Sequence, residues 1–268
     1  MSGPGQCQNC DGPLRGRFCE SCGQDSIGPP SDVAGLLGLL TGGLVGLESR
    51  ALRSFGTLLF APGRLTRAYV DGQRIRYSSP IQMYAWCTAA FFLVQAVFPV
   101  ARLNTETGYI VSSLSTITVG FGLSAETLSR LTEQGVGLPV YAERFDAAVT
   151  AYFPVLLVLL VLASALLMAI QFRKEPALKH GVFALHWTAV YFALEMLRQL
   201  LPRSGPSSVP ASIFITAVAL VHLYRAMRVV YARGRVGTAI RAFLTIVAFS
   251  VLLGGWLWSA ATLAEALA

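Results

Sequence analysis

Residues 147–170 read AAVTAYFPVLLVLLVLASALLMAI, twenty-four positions without a charged side chain. At about 1.5 Å per residue such a run reaches roughly 36 Å as a helix, more than a hydrocarbon core of roughly 30 Å. Each leucine, isoleucine or valine in it favours insertion by about 0.3–0.6 kcal/mol. The run therefore predicts a transmembrane helix. Its neighbours agree, because the chain is 54% hydrophobic and 13% charged, against roughly half and a quarter in soluble domains. Mean hydropathy is +0.58. The formal charge of +7 and pI near 9.4 suit basic cytoplasmic loops, and no nucleic-acid partner is expected from them.

Working outward, four further runs at 81–100, 181–201, 209–227 and 239–260 complete an expectation of about five spans. Run 181–201 is the least apolar. It carries His186, Glu195 and Arg198, and its length and its aromatics Phe183, Trp187, Tyr191 and Phe192 keep it in the membrane. Lys and Arg set the orientation. They concentrate in residues 1–80, in 171–180 (Arg173, Lys174, Lys179) and in 225–241 (Arg225, Arg228, Arg233, Arg235, Arg241), whereas the 101–146 connection sets Arg102, Arg130 and Arg144 against Glu106, Glu126, Glu133, Glu143 and Asp146. This places the N-terminus in the cytoplasm and the C-terminus outside, with 101–146 an extracytoplasmic loop. The expected fold class is thus an all-α transmembrane bundle with a small N-terminal zinc ribbon. Its parts are the ribbon at 1–26, a linker with amphipathic juxtamembrane helices at 27–80, and the transmembrane domain at 81–262.

The ribbon rests on Cys7, Cys10, Cys19 and Cys22, a C-x-x-C pair repeated after eight residues. Each C-x-x-C turn lets two thiolates converge on one ion, and two such turns close a tetrahedral shell that suits structural Zn²⁺ and leaves no position for a catalytic water. The alternatives are another metal, disulfides or a reactive dithiol. Nothing at the N-terminus reads as a cleavable signal, so the thiols are expected in the reducing cytosol. Cys87, alone in an apolar run, reads as a small packing residue.

Between ribbon and bundle, residues 33–47 are apolar and glycine-rich, with Gly38, Gly42 and Gly46 on one helical face. At about 22 Å the run is short for a span and reads as a packed or surface-lying helix, or as a flexible approach to the membrane. From 49 to 77 the chain is amphipathic, with Pro62-Gly63 and Asp71-Gly72 as breakers. Its Arg50, Arg53, Arg64, Arg67, Arg74 and Arg76 are candidates for anionic lipid headgroups, each contributing about 1 kcal/mol, or simply form a solvated face.

The run Arg17-Phe18-Cys19-Glu20-Ser21-Cys22-Gly23-Gln24 resembles the N-terminus of a bacterial membrane family catalogued as a domain of unknown function, number 3667. So do Leu58-Leu59-Phe60-Ala61-Pro62-Gly63-Arg64, the stretch Tyr69-Val70-Asp71-Gly72-Gln73-Arg74-Ile75-Arg76-Tyr77 with Pro80, and His180-Gly181-Val182-Phe183-Ala184-Leu185-His186-Trp187. The resemblance implies a zinc ribbon, multi-pass architecture and bacterial origin, and it implies no activity. The glycine-rich 33–47 segment departs from the more polar one expected of that family.

Ionisable groups inside spans are functional suspects. His180, His186 and His222 all fall near the cytoplasmic side and are candidates for a shared metal, haem or proton relay, or are hydrated interface residues. Glu195 and Arg198, three apart on one helix, form either an intrahelical packing pair or part of a substrate pathway. The chain contains no H-E-x-x-H and no Gly-rich phosphate loop, and no catalytic residues are expected. The reading is an adaptor, assembly or regulatory protein of the bacterial inner membrane with a cytoplasmic protein partner, not an enzyme. The alternative is a small oligomeric transporter or channel using Glu195 and Arg198.

Overall fold

The computed structural model describes residues 5–26, 49–97, 101–104, 109–112, 120–122, 125–201 and 208–267. The segment 33–47 lies outside them.

Residues 49–70 fold as two short helices. Helix α1, Ser49–Phe60, buries Ala51, Ser54 and Leu58 on one face and leaves Leu52, Phe60 and the guanidinium-bearing positions outward. It stops before Pro62, which has no N–H to continue the ladder. Helix α2, Arg64–Val70, starts from Gly63 at φ +79°. Only glycine fits there. A Cβ at position 63 would stand 2.7 Å from the Ala226 carbonyl oxygen and 2.9 Å from its Cα, so this turn is pressed against a bundle helix. Helix α3, Pro80–Val97, opens on a reciprocal cap. Ser79 N–H donates to Gln82 Oε1 at 2.9 Å and Gln82 N–H to Ser79 Oγ at 3.2 Å, with proline at the first helical position, where its missing donor costs nothing.

After α3 come three short antiparallel strands, β1 Ala101–Asn104, β2 Tyr109–Ser112 and β3 Gly120–Gly122, in sheet order β1-β2-β3 with Ile110 opposite Leu103 and Phe121. They correct the all-α expectation. Ile110, Val111, Tyr109 and Phe121 are β-branched or aromatic, and such residues suit a pleated surface better than a helix. Helix α4 covers Ala125–Glu133, and α5 runs from Leu138 to Gln171, beginning nine residues before the expected span. Helices α6, Ala177–Leu200, α7, Ser208–Tyr231, and α8, Arg235–Leu267, complete the fold.

Each of the five expected spans coincides with one long helix, but only two stretches among the described residues, Ile213–Tyr231 and Arg235–Gly255, are long and apolar enough to cross a membrane, with Leu157–Gln171 a shorter apolar stretch. For α6 the reason is its position. It is the central helix, packed by α1, α2, α3, α5 and α7, so its polar side chains face protein rather than the outside and its mean hydropathy falls. Met83, Cys87 and Phe91 of α3 are fully buried, and Phe91 stacks on Phe192 of α6 at 4.8 Å. The peripheral helices are apolar outward: Leu159, Leu162 and Leu166 on α5, Phe214 on α7, and Phe243 and Val251 on α8 are all exposed. At one end Phe172 stacks on Tyr231 at 3.8 Å, Arg241 lies over Phe172 and Lys179 over Tyr231, pinning the α5–α6 turn to α7 and α8.

Candidate metal centre

The four cysteines fold as two copies of one knuckle, twelve residues apart. In the first, Cys7 N–H donates to the Gly12 carbonyl at 2.8 Å, Asp11 N–H to Cys7 at 2.9 Å and Leu14 N–H to Gly5 at 2.7 Å; in the second, Cys19 N–H donates to Gln24 at 2.9 Å, Gly23 N–H to Cys19 at 2.8 Å and Ser26 N–H to Arg17 at 2.8 Å. The isolated bridges Gln6–Pro13 and Phe18–Asp25 repeat at the same offset, as do the positive φ angles of Asp11 and Gly23. Cys7 and Cys19 are buried, and Arg17 closes the second copy by donating two bonds, at 3.0 and 3.1 Å, to Asp25 Oδ2.

The four Sγ atoms lie within 4.8 Å of one another, with Cys7 to Cys22 at 3.6 Å and Cys10 to Cys19 at 3.5 Å. Tetrahedral ligands at about 2.3 Å from an ion stand about 3.8 Å apart, so the cluster can hold a metal ion. Asn9 N–H, at 3.5 Å from Cys7 Sγ, is the kind of donor that steadies a thiolate. Backbone bonds from Cys22 and then Ser21, outweighing burial, lower the Cys19 thiol from 9.0 to about 7. At Cys10 the Gly12 backbone bond pulls down, but hydrogen bonds among the neighbouring thiols together with desolvation carry it up to about 12. Cys19 thus yields its proton to a cation more readily than Cys10 does.

The ribbon sits on the chain's own basic linker. Gln24 is buried, and its side-chain amide spans the α2–α3 turn: Nε2 donates to the Gly72 carbonyl at 2.8 Å and Oε1 accepts from Arg74 N–H at 3.0 Å. Gln8 of the first knuckle lies against Gly72, which at φ +93° has no room for a Cβ on that side. Neither glutamine carried a ligand signal in the sequence. What could have pointed to them was the pairing of a Cys-Gly-Gln run with an Asp-Gly-Gln-Arg turn.

The remaining candidates are dispersed. Among the described residues the four cysteines are the metal-capable cluster found, and the histidines each hold something different. His180 Nδ1 meets the Tyr231 hydroxyl at 3.0 Å, His186 Nδ1 meets Thr66 Oγ1 at 2.8 Å, and His222 Nε2 donates to the Leu58 carbonyl at 3.0 Å. The last two fasten α2 and α1 to the bundle. Arg198 Nε donates to Glu195 Oε2 at 2.7 Å, with both side chains buried. Arg50, Arg53, Arg64, Arg67 and Arg76 are exposed, Arg67 pairs with Asp71 at 2.8 Å, and Arg74 is partly covered beneath the ribbon. Cys87 is a core residue.

A mostly helical bundle carrying a four-cysteine cluster is the class that fold and site define. A family model described as a protein of unknown function (DUF3667) matches residues 48–92, which span α1, α2 and most of α3. No curated protein and no solved structure matches the chain.

Proposed function

We propose that this chain is a multi-pass protein of a bacterial inner membrane, with a cytoplasmic N-terminus, that serves as an adaptor, assembly or regulatory protein. Its zinc ribbon acts as a clamp on its own juxtamembrane helices. The observation that carries the reading is the Gln24 amide bridging Gly72 and Arg74. Zn²⁺ is the proposed ion, held by Cys7, Cys10, Cys19 and Cys22; four thiolates with no open position give it a structural role, organising the two knuckles so that Gln8 and Gln24 face the turn. The exposed leucines, valines and phenylalanines of α5, α7 and α8 support lipid contact, since contiguous outward apolar faces mark membrane or partner surfaces. The exposed arginines of α1 and α2 would then meet anionic headgroups.

Affinity capture from membranes tests the reading, with wild type, Gln24→Ala and Cys19→Ser compared. A cytoplasmic protein retained by Gln24→Ala and lost with Cys19→Ser assigns the docking surface to the ribbon itself. Loss with both variants assigns it to the clamped platform. Capture that is the same with all three sinks the adaptor reading.

A second reading, a small oligomeric transporter, draws on a cavity of about 60 Å³ between α6, α7 and α8 that is lined by Glu195, Tyr191, Thr216 and Ser250 among apolar side chains. Proteoliposome flux abolished by Glu195→Gln would favour it over the adaptor.

A further inference from the structure

A second, smaller cavity lies where the juxtamembrane helices meet the bundle, walled by Leu58 and Thr66 from α1 and α2, by His186 and Trp187 from α6, and by His222 and Ala226 from α7. Its volume is about 20 Å³, and a polar site needs only about 10–15 Å³ to admit one water. His186 and Trp187 are 4% and 5% exposed. Three of its lining residues each carry a buried nitrogen with no protein hydrogen-bond partner: His186 Nε2, Trp187 Nε1 and His222 Nδ1. Orphaned buried donors and acceptors are costly, so three on residues lining one cavity call for a common partner.

The hydrogen bonds already made fix what that partner must offer. His222 Nε2 lies 3.0 Å from a carbonyl oxygen, which can only accept, so this nitrogen carries the proton and the neutral ring turns an acceptor, Nδ1, to the remaining partner. No carboxylate lines the cavity to hold a second proton on either ring. Trp187 Nε1 can only donate. The guest therefore donates one bond and accepts another. A metal ion fails on both counts, because an indole N–H is no ligand and two imidazoles fall short of the three or four protein ligands that zinc takes. An organic molecule exceeds the space.

We infer that this cavity binds one water molecule, which donates to His222 Nδ1, accepts from Trp187 Nε1–H and takes His186 Nε2 as its third partner. Three bonds are the usual complement of a buried water. With Thr66 on the far side of the His186 ring and Leu58 on the far side of His222, the water completes a hydrogen-bonded chain that joins α2 and α6 to α7 and α1. It is a positioning element for the platform on which the cysteine knuckles rest, and it stands whether or not that platform recruits a partner.

A water-resolving map of the full chain in lipid nanodiscs tests it. A single peak within hydrogen-bond distance of the three nitrogens, without anomalous signal at transition-metal edges, is expected; absent density or an anomalous peak overturns the proposal. Nitrogen-15 spectra of histidine-labelled protein, with His222 assigned through His222→Gln, give a second readout. His222 Nδ1 should appear unprotonated and hydrogen-bonded, and in Trp187→Phe, which keeps the ring packing but removes one of the water's partners, that resonance should move toward the unbonded value. A protonated Nδ1, or no movement in the variant, overturns the assignment.

Discussion

Thr66 of α2 and His186 of α6, 120 residues apart in the chain, meet at 2.8 Å between Oγ1 and Nδ1 in a buried contact. It joins the most central helix to the segment that carries the ribbon. Thr66→Val keeps the shape and leaves His186 Nδ1 without its partner, so a loss of about 1–3 kcal/mol is expected. Thermal unfolding in detergent should show it, and an unchanged Tm would mean that the contact adds nothing to the fold.

Gly63 gives a sharper contrast. Gly63→Ala forces a Cβ onto the Ala226 backbone at a positive φ and should destabilise by more than about 1 kcal/mol. Gly56→Ala, inside α1 where an added Cβ meets nothing within 4 Å, should instead stabilise by about 0.4–1 kcal/mol. Opposite signs in two melting curves check both at once.

Metal content should be one zinc per chain by elemental analysis, with Cys7→Ser, Cys10→Ser, Cys19→Ser and Cys22→Ser each loosening it while the bundle stays inserted. Zinc-free protein purified without chelator would end the zinc assignment. The pH dependence follows from Cys19. Its folded value is depressed, so above about 7 the thiolate is already formed and no proton leaves it on binding. As pH falls through about 7 the ion must displace one more proton, and the plot of log affinity against pH should steepen by one.

Thiol labelling checks the topology. In a Cys87→Ser background stripped of zinc, a membrane-impermeant maleimide should miss Cys7 and Cys22 in intact spheroplasts and reach them in inverted vesicles. A cysteine introduced at the exposed Ser129 of α4 should do the reverse. Labelling of both regions from outside would place the thiols in an oxidising compartment, where disulfides become the better reading.

Arg198→Ala strands a buried carboxylate and should cost about 3–5 kcal/mol, whereas Glu195→Gln with Arg198→Met, which removes both charges, should recover most of it. A chemical-denaturation series across wild type, Glu195→Gln, Arg198→Met and the double variant measures the coupling.

How much of this was legible follows from where each signal resides. The cysteines, the Pro62-Gly63 break and the 147–170 run act through neighbours in sequence, and they declare themselves there. Helix α6 was expected over 181–201, but its central place was not legible, because His186, Glu195 and Arg198 are tolerated only through the helices that surround it, and a hydropathy sum sees composition without surroundings. The three short strands had a signal in the β-branched and aromatic Tyr109, Ile110, Val111 and Phe121, overshadowed by the mixed charges of the 101–146 connection. His186 and His222 share a cavity only because α6 and α7 run side by side, a relation that no spacing within one helix encodes. The twelve-residue offset between Cys7 and Cys19 was open to view, and what obscured it is that only the cysteines themselves repeat in residue type.

That offset has a consequence for how the ribbon seats. Two near-identical halves could in principle mount on the α2–α3 turn either way up, with one half or the other beneath. The position equivalent to Gln24 is Gly12, which has no side chain to reach a backbone, and the position equivalent to Gln8 is Glu20. These two unequal pairs make the mounting unambiguous, and exchanging the first by Gly12→Gln with Gln24→Gly removes its share of the preference while all four cysteines stay in the sequence.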